Sequence, residues 1–190
     1  MVEVNDELND FNHEVIPVAI PCPGEYVLPM DTSSEPQWLT PDERAAWLAL
    51  ASVTMRLPAV LDAQLRRDAG LSHFEYTVLA ALSEADHRTL RMSQLAVLAE
   101  GSLSRLSQVV SRLEDRGLVR RSADPEDGRS TLATLTAKGW KKVVATAPGH
   151  VAEVRRLVLD PLTRTQVGQL STIGRRIMGA IDPQDECAGS

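Results

Sequence analysis

The sequence predicts a mainly α-helical chain with one small β-hairpin set between two groups of helices. Two observations carry this. Apolar residues recur at helical spacing over most of residues 40–117 and again over 137–181, and Ser or Thr stands at each helix start, where an N-cap is needed. Between the two groups, after Gly117, the period changes from helical to two. Residues 118–122 and 130–135 read as paired strands, joined by the strong turn sequence Ala-Asp-Pro-Glu-Asp-Gly-Arg.

Taken in order, residues 1–39 read as an acidic, Pro-rich arm with Pro17, Pro21, Pro23, Pro29 and Pro36, and its run VIPVAIP is too apolar for a simple solvated linker. A first helix starts at Thr40-Pro41-Asp42-Glu43, with an N-cap, a proline in the first turn and acids that suit the helix dipole. Pro58 should kink it and Gly70 should end it. Ser72 with Glu75 forms a capping box for a second helix that runs to about Ala85. Thr89 and Leu90 fit a short strand. Ser93 is expected to cap a third helix, with Leu95, Ala96, Leu98 and Ala99 facing inward, and Gly101 to break it. Ser102 caps a fourth helix, closed by Gly117. After the hairpin, Thr136 caps a long helix to about Asp160, interrupted at Pro148 and Gly149. A last helix starts near Thr163 and runs to Ile181, and residues 182–190 form a polar tail.

Bulk properties bound the function. Hydrophobic residues make up 43% of the chain and charged residues 24%, a soluble globular composition. No uninterrupted apolar run reaches the roughly 18 residues of a membrane span, and the acidic N-terminus does not resemble a signal peptide. The two cysteines, Cys22 and Cys187, make neither a disulfide framework nor a metal-ligand pattern. A cytoplasmic protein without a cofactor is expected. The four histidines are scattered, and no nucleophile elbow, phosphate loop or metal signature occurs, so an enzyme is not expected. The net charge of −6 hides a strong asymmetry: residues 88–142 carry eleven Lys or Arg against six Asp or Glu. A basic centre on an acidic body suits a surface that meets polyanions, although ordinary solvated helices give the same count.

Two short helices joined by a Gly-containing turn and followed by a hairpin make a winged helix-turn-helix. The fourth helix, SLSRLSQVVSRLEDRG, would be its recognition helix. Leu106, Val109, Val110 and Leu113 form the buried stripe, while Arg105, Gln108 and Arg112 share another face, flanked by Ser104, Ser107 and Ser111. Arg reads guanine and Gln reads adenine in a bidentate manner. Ser102, Ser104 and Ser107 at the helix start suit phosphate oxygens. At the wing tip Arg129 can enter a minor groove, and Asp127 is expected to hold its guanidinium in a bidentate pair.

Two runs, SRLEDRGLVRR (residues 111–121) and DPEDGRSTLATLTAKG (residues 124–139), closely resemble the multiple-antibiotic-resistance regulator (MarR) family, whose wing and following helix carry Asp-x-Arg and then Leu-Thr-x-x-Gly. Here these are Asp127, Arg129, Leu135, Thr136 and Gly139. The resemblance covers residues 41 to 181. It implies a homodimer built by the first and last two helices (residues 40–70 and 137–181) around a winged unit at 72–136. It also implies double-stranded DNA as partner, a pseudo-palindromic operator, and relief of repression by a small ligand or an oxidant. Leu48, Leu50, Leu61, Leu157, Leu159, Leu170, Ile173 and Ile177 supply apolar surface for the dimer. Trp47, Phe74, Tyr76 and Trp140 are candidates to line a pocket for a phenolic or other aromatic effector, although core packing is the commoner fate of such residues.

Two alternatives stay open at this level. A winged helix can bind protein rather than nucleic acid, and the overall acidity permits that. A thiol-based redox sensor would need Cys22 or Cys187 to be reactive, but Cys22 lies between two prolines with Glu25 nearby and no basic neighbour to lower its pKa.

Overall fold

The computed structural model describes residues 36–182. Most of the arm, Cys22, and Cys187 with nearly all of the polar tail lie outside these residues. The chain divides between Leu39 and Thr40, and everything below concerns the unit that starts at Thr40.

Its elements are α1 (Pro41–Ala69), α2 (His73–Glu84), β1 (Thr89–Arg91), α3 (Met92–Leu98), α4 (Leu103–Asp115), β2 (Val119–Ala123), β3 (Thr131–Leu135), α5 (Ala137–Val154) and α6 (Arg164–Ile181). The caps sit where the sequence puts them. Thr40 and Glu43 close a capping box on α1, Ser72 and Glu75 one on α2, and Thr163 and Gln166 one on α6. Gly70 ends α1 at φ 61°, a left-handed conformation that glycine adopts without strain.

Three expectations about helix starts, faces and breaks need correction. Ser93 is not the cap of α3: the helix starts at Met92, two residues before the expected Gln94, and the N–H of Arg91 donates to Gln94 Oε1 at 3.1 Å. Leu98 is exposed rather than inward. Met92, Leu95, Ala96 and Ala99 already fill the inner arc of this seven-residue helix, and Leu98 falls about 60° outside it. Pro148 and Gly149, both exposed, do not interrupt α5, which is held against α1 and α2 on either side of them, by buried Val143 and Thr146 before and by His150 after. Tertiary packing outweighs the hydrogen bond that proline removes. The ladder widens only later, in a π-helical turn at Arg155–Leu159.

The three strands form one antiparallel sheet in the order β1-β3-β2. Thr89 pairs with Thr134 and Val119 with Leu135, and the Thr89 and Thr134 hydroxyls lie 2.9 Å apart. One core underlies the winged unit. Leu65, Leu71, Val78, Leu79, Leu82, Leu95, Leu106, Val110 and Leu113 are fully buried in it, each contributing about 1.5–3 kcal/mol of burial.

The flanking helices are covered much less. Trp47, Leu48, Val53 and Met55 on the first half of α1 are exposed, and α6 buries no residue at all. Leu61, expected on the dimer surface, is instead 7% exposed and part of this chain's own core. It lies on the second half of α1, where Gln64 and Leu65 turn inward with it. Among the described helices α1 alone has the length and mean hydropathy to cross a bilayer, a property that core helices of soluble proteins share.

Candidate nucleic-acid interface

The recognition helix is built from its first residue. Ser102 Oγ accepts the N–H of Arg105 at 3.3 Å and lies 3.2 Å from Ser104 Oγ, so this hydroxyl caps α4. Leu106, Val109, Val110 and Leu113 are buried as the spacing requires. Ser104, Arg105, Gln108 and Arg112 are exposed, and Ser107 is half-buried toward the wing. From Gly101 through Leu113 the chain has no acidic residue, so this face carries only neutral and basic groups.

Two depressions flank α4. On one side lies an open groove of about 860 Å³ between α1, α2 and α4, where Arg105, Gln108 and Arg112 face Asp62, Arg66 and Phe74. The Arg105 guanidinium stacks on the Phe74 ring at 4.3 Å. Gly101 makes room for that ring, because a Cβ there would fall 2.6 Å from Phe74 Cζ. Arg112 Nε lies 4.0 Å and Arg116 Nη1 3.6 Å from Glu75 Oε1. On the other side, a hollow of about 300 Å³ separates α4 from the wing and takes in Ser107 and Arg129.

The wing tip is held differently from the expectation. Asp127 makes no pair with the Arg129 guanidinium. Its Oδ1 accepts the backbone N–H of Arg129 at 3.1 Å and its Oδ2 the hydroxyl of Ser130 at 2.8 Å. In so tight a turn the backbone donor two residues on is the nearer partner, which is the usual behaviour of an Asx turn. These bonds, the Ser130 hydroxyl first, hold the Asp127 carboxyl below its ordinary pKa. The Arg129 guanidinium therefore projects with no hydrogen bond or ion pair to any described residue.

Sequence reasoning missed the residue that anchors the wing. Asp124 is 6% exposed. It accepts the N–H of Glu126 at 2.9 Å and Arg91 Nε at 2.7 Å. Its pKa is lowered first by the Glu126 N–H and then, against the cost of burial, by Arg91. The bond ties the wing to the start of α3. Arg121 likewise ties β2 to α4, donating from its backbone N and from Nε to Glu114, both at 2.8 Å. Asp124 stands in the matched run of residues 124–139, but its partner lies 33 residues away and no local pattern names it.

The four aromatic candidates make separate contacts. Trp47 is exposed on α1. Tyr76 is buried edge-on against His150, with ring centroids 4.8 Å apart. Trp140 is covered by the Arg88 guanidinium at 4.0 Å. Only Phe74 of the four lines the groove beside α4.

Comparison with known proteins agrees with this architecture. The MarR family model matches residues 69–130. The HTH-type transcriptional regulator YfiV of Bacillus subtilis is 30% identical over 160 residues, 82% of this chain and 98% of that protein. Among solved structures, the MarR family regulator Sco3205 of Streptomyces coelicolor, determined in complex with DNA, is 42% identical at a TM-score of 0.76, covering 80% of this chain and 94% of that one. The chain belongs to the MarR family. AbsC from Streptomyces coelicolor, also a MarR family regulator, is 35% identical at a TM-score of 0.74, covering 78% and 99%. Other curated matches are shorter, and the chain spans about half the length of two of these relatives, 54% and 53%. The relatives are transcriptional regulators, not enzymes.

Proposed function

We propose that this MarR family protein is a sequence-specific DNA-binding regulator, working in the cytoplasm as a homodimer on a pseudo-palindromic operator and acting as a ligand-responsive repressor. One observation carries the reading. The exposed face of α4 has Arg105, Gln108 and Arg112 and no acid, and it stands beside a wing whose Arg129 guanidinium is free. Base edges want such donors on the helix, and a narrow minor groove wants such a cation on the wing. The similarity to Sco3205, solved with DNA, supports the same reading.

In this reading Arg105 and Gln108 meet base edges, Ser104 and Arg112 the backbone, and Arg129 the minor groove. The exposed apolar residues of α1 and α6, including Trp47, Leu48, Ile173 and Ile177, favour the homodimer, because a lone chain would leave that surface in water. Its two recognition helices would then sit about 34 Å apart, one turn of DNA. The groove beside α4 suits a planar anionic effector that displaces Arg105 from the Phe74 ring, which then offers its face, while Arg105 and Arg112 offer charge and Arg66 stays paired with Asp62. A ligand there would hold Arg105 and Arg112 away from DNA.

The experiment is selection of DNA fragments by the purified chain, with and without phenolic acids. Enrichment of an inverted repeat, lost when an effective acid is added, is the expected result. Recovery of random fragments would overturn the operator reading, and enrichment indifferent to every acid would overturn the effector.

A further inference from the structure

The exposed face of α4 is unevenly equipped. Its long polar side chains, Arg105, Gln108 and Arg112, all line the groove toward α1 and α2. The rest of the face carries Ser104, Ser107 and Ser111, whose side chains are short, and one large residue, Leu103. At about 100° per residue the three serines fall within roughly 100° of Leu103 around the helix, and Arg105, Gln108 and Arg112 fall roughly 140–180° away from it. Leu103 lines the hollow toward the wing together with Ser107. It is the first residue of α4 and is 55% exposed, whereas Leu106, one turn on, is fully buried. A lone exposed leucine is ordinary on a protein surface. This one stands at the end of the helix that enters DNA in the reading above, and on its side of the face no other side chain of α4 is long enough to reach a base.

What a leucine can recognise there is narrow. The N-terminal residues of a recognition helix meet base edges in the major groove. The groups that specify a base there are hydrogen-bond donors and acceptors, with one apolar exception, the 5-methyl of thymine. Laid on a donor or acceptor, a leucine would strip water from it and give no bond in return. Laid on the methyl, it buries apolar surface on both sides. We propose that Leu103 packs on the 5-methyl of one thymine in each operator half-site and so selects a T·A pair at that position. This rests on the DNA reading above and goes beyond it by adding a base preference that is read without a hydrogen bond. The selected thymine lies on the wing side of the bases met by Arg105 and Gln108.

The test deletes one methyl at a time. Operator duplexes in which a single thymine is replaced by deoxyuridine keep every base-pair hydrogen bond and lose only the methyl. They are titrated with the full chain, with Leu103→Ala and with Leu103→Met. One thymine per half-site should prove sensitive, its replacement weakening the wild type about three- to fivefold, the worth of one buried methyl. Leu103→Ala, too short to reach, should bind the unmodified operator less tightly by about that factor or more. The same replacement should then cost the variant about 1.5-fold or less, because the contact is already gone. Leu103→Met keeps an apolar side chain of similar reach and should keep the sensitivity. Equal sensitivity in the wild type and Leu103→Ala, or no thymine whose methyl matters to the wild type, would overturn the proposal while leaving DNA binding intact. Failure of the wild type to prefer the unmodified operator over random duplex would overturn the DNA reading, and this inference with it.

Discussion

Arg105, the first arginine of the recognition helix, lies with its guanidinium 4.3 Å from the centroid of the Phe74 ring on α2. A side chain assigned to base reading is thus stacked within its own protein when DNA is absent. Leaving the ring costs about 0.5–1 kcal/mol at such an exposed site. The Phe74→Leu variant should therefore bind operator as well as the wild type or about two- to fivefold tighter, whereas Arg105→Ala should lose about 1–3 kcal/mol. Fluorescence anisotropy titrations compare the two. A loss in Phe74→Leu as large as that in Arg105→Ala would mean that the stacked arrangement is the one that meets DNA.

Because Asp127 braces the turn through the Arg129 N–H and the Ser130 hydroxyl, its removal should loosen the whole wing tip. Asp127→Ala is expected to weaken operator binding less than Arg129→Ala. Both losses should be largest on duplexes with A·T-rich flanks, where the minor groove is narrow. Salt titrations on A·T-rich and G·C-rich flanks check this. Operator binding by Arg129→Ala at the wild-type level would remove the wing from the interface.

The seam between the winged unit and α5 depends on one missing atom. A Cβ on Gly139 would lie 2.1 Å from the Leu118 carbonyl oxygen and 2.6 Å from Leu135 Cδ1. At the same seam Thr136 Oγ1 donates to the Gly117 carbonyl at 2.8 Å and accepts the Gly139 N–H at 3.0 Å. Gly139→Ala should destabilise the fold by about 1–3 kcal/mol or more, since the obstacle is backbone and cannot rotate away. Urea denaturation measures it. A change below about 0.5 kcal/mol would show that this seam tolerates movement.

That seam also marks how far the sequence could be read. Ser72, Glu75, the capping role of Thr136 and the stripe of α4 were legible because each acts on neighbours within a turn or at one helical period, whereas Gly139 was named only by the family resemblance. The Arg91–Asp124 pair and the Phe74–Arg105 stack were not, because each joins elements that only the tertiary fold brings together. The surroundings of the four aromatic candidates were not legible for the same reason: composition names a ring but not the neighbour that covers it. Pro148 and Gly149 were misread where the long helix outweighed a local preference, and Leu98 where the inner arc of a short helix was drawn too wide. The exposed placement of Arg105, Gln108 and Arg112 on α4 was legible in their spacing.

His150 on α5 gives the fold a pH dependence. Its ring lies against Tyr76 and 6.0 Å from the ring of His73 on α2, and its Nδ1 lies 3.3 Å from Gln64 Oε1 on α1. Gln64 Nε2 in turn donates to Asp68 at 2.9 Å. Burial lowers the His150 pKa, and the neighbouring His73 lowers it further. The folded state therefore holds this proton less tightly than the unfolded chain does. Its contribution is fully present above the unfolded-state pKa of about 6.5 and declines as pH falls below that value. Thermal melts of the wild type should show this acid-side loss, and His150→Gln should show a shallower one. An unchanged slope in the variant would assign the loss to other groups.

The central claim, a homodimer reading one operator through two copies of α4 and its wing, is tested most directly by sedimentation of labelled operator with the purified chain. Two chains per duplex are expected, with affinity about a thousandfold or more above that for random duplex at physiological salt. Arg112→Ala should flatten the salt dependence, since one phosphate contact is lost per chain. One chain per duplex, or equal affinity for operator and random DNA, would contradict the account.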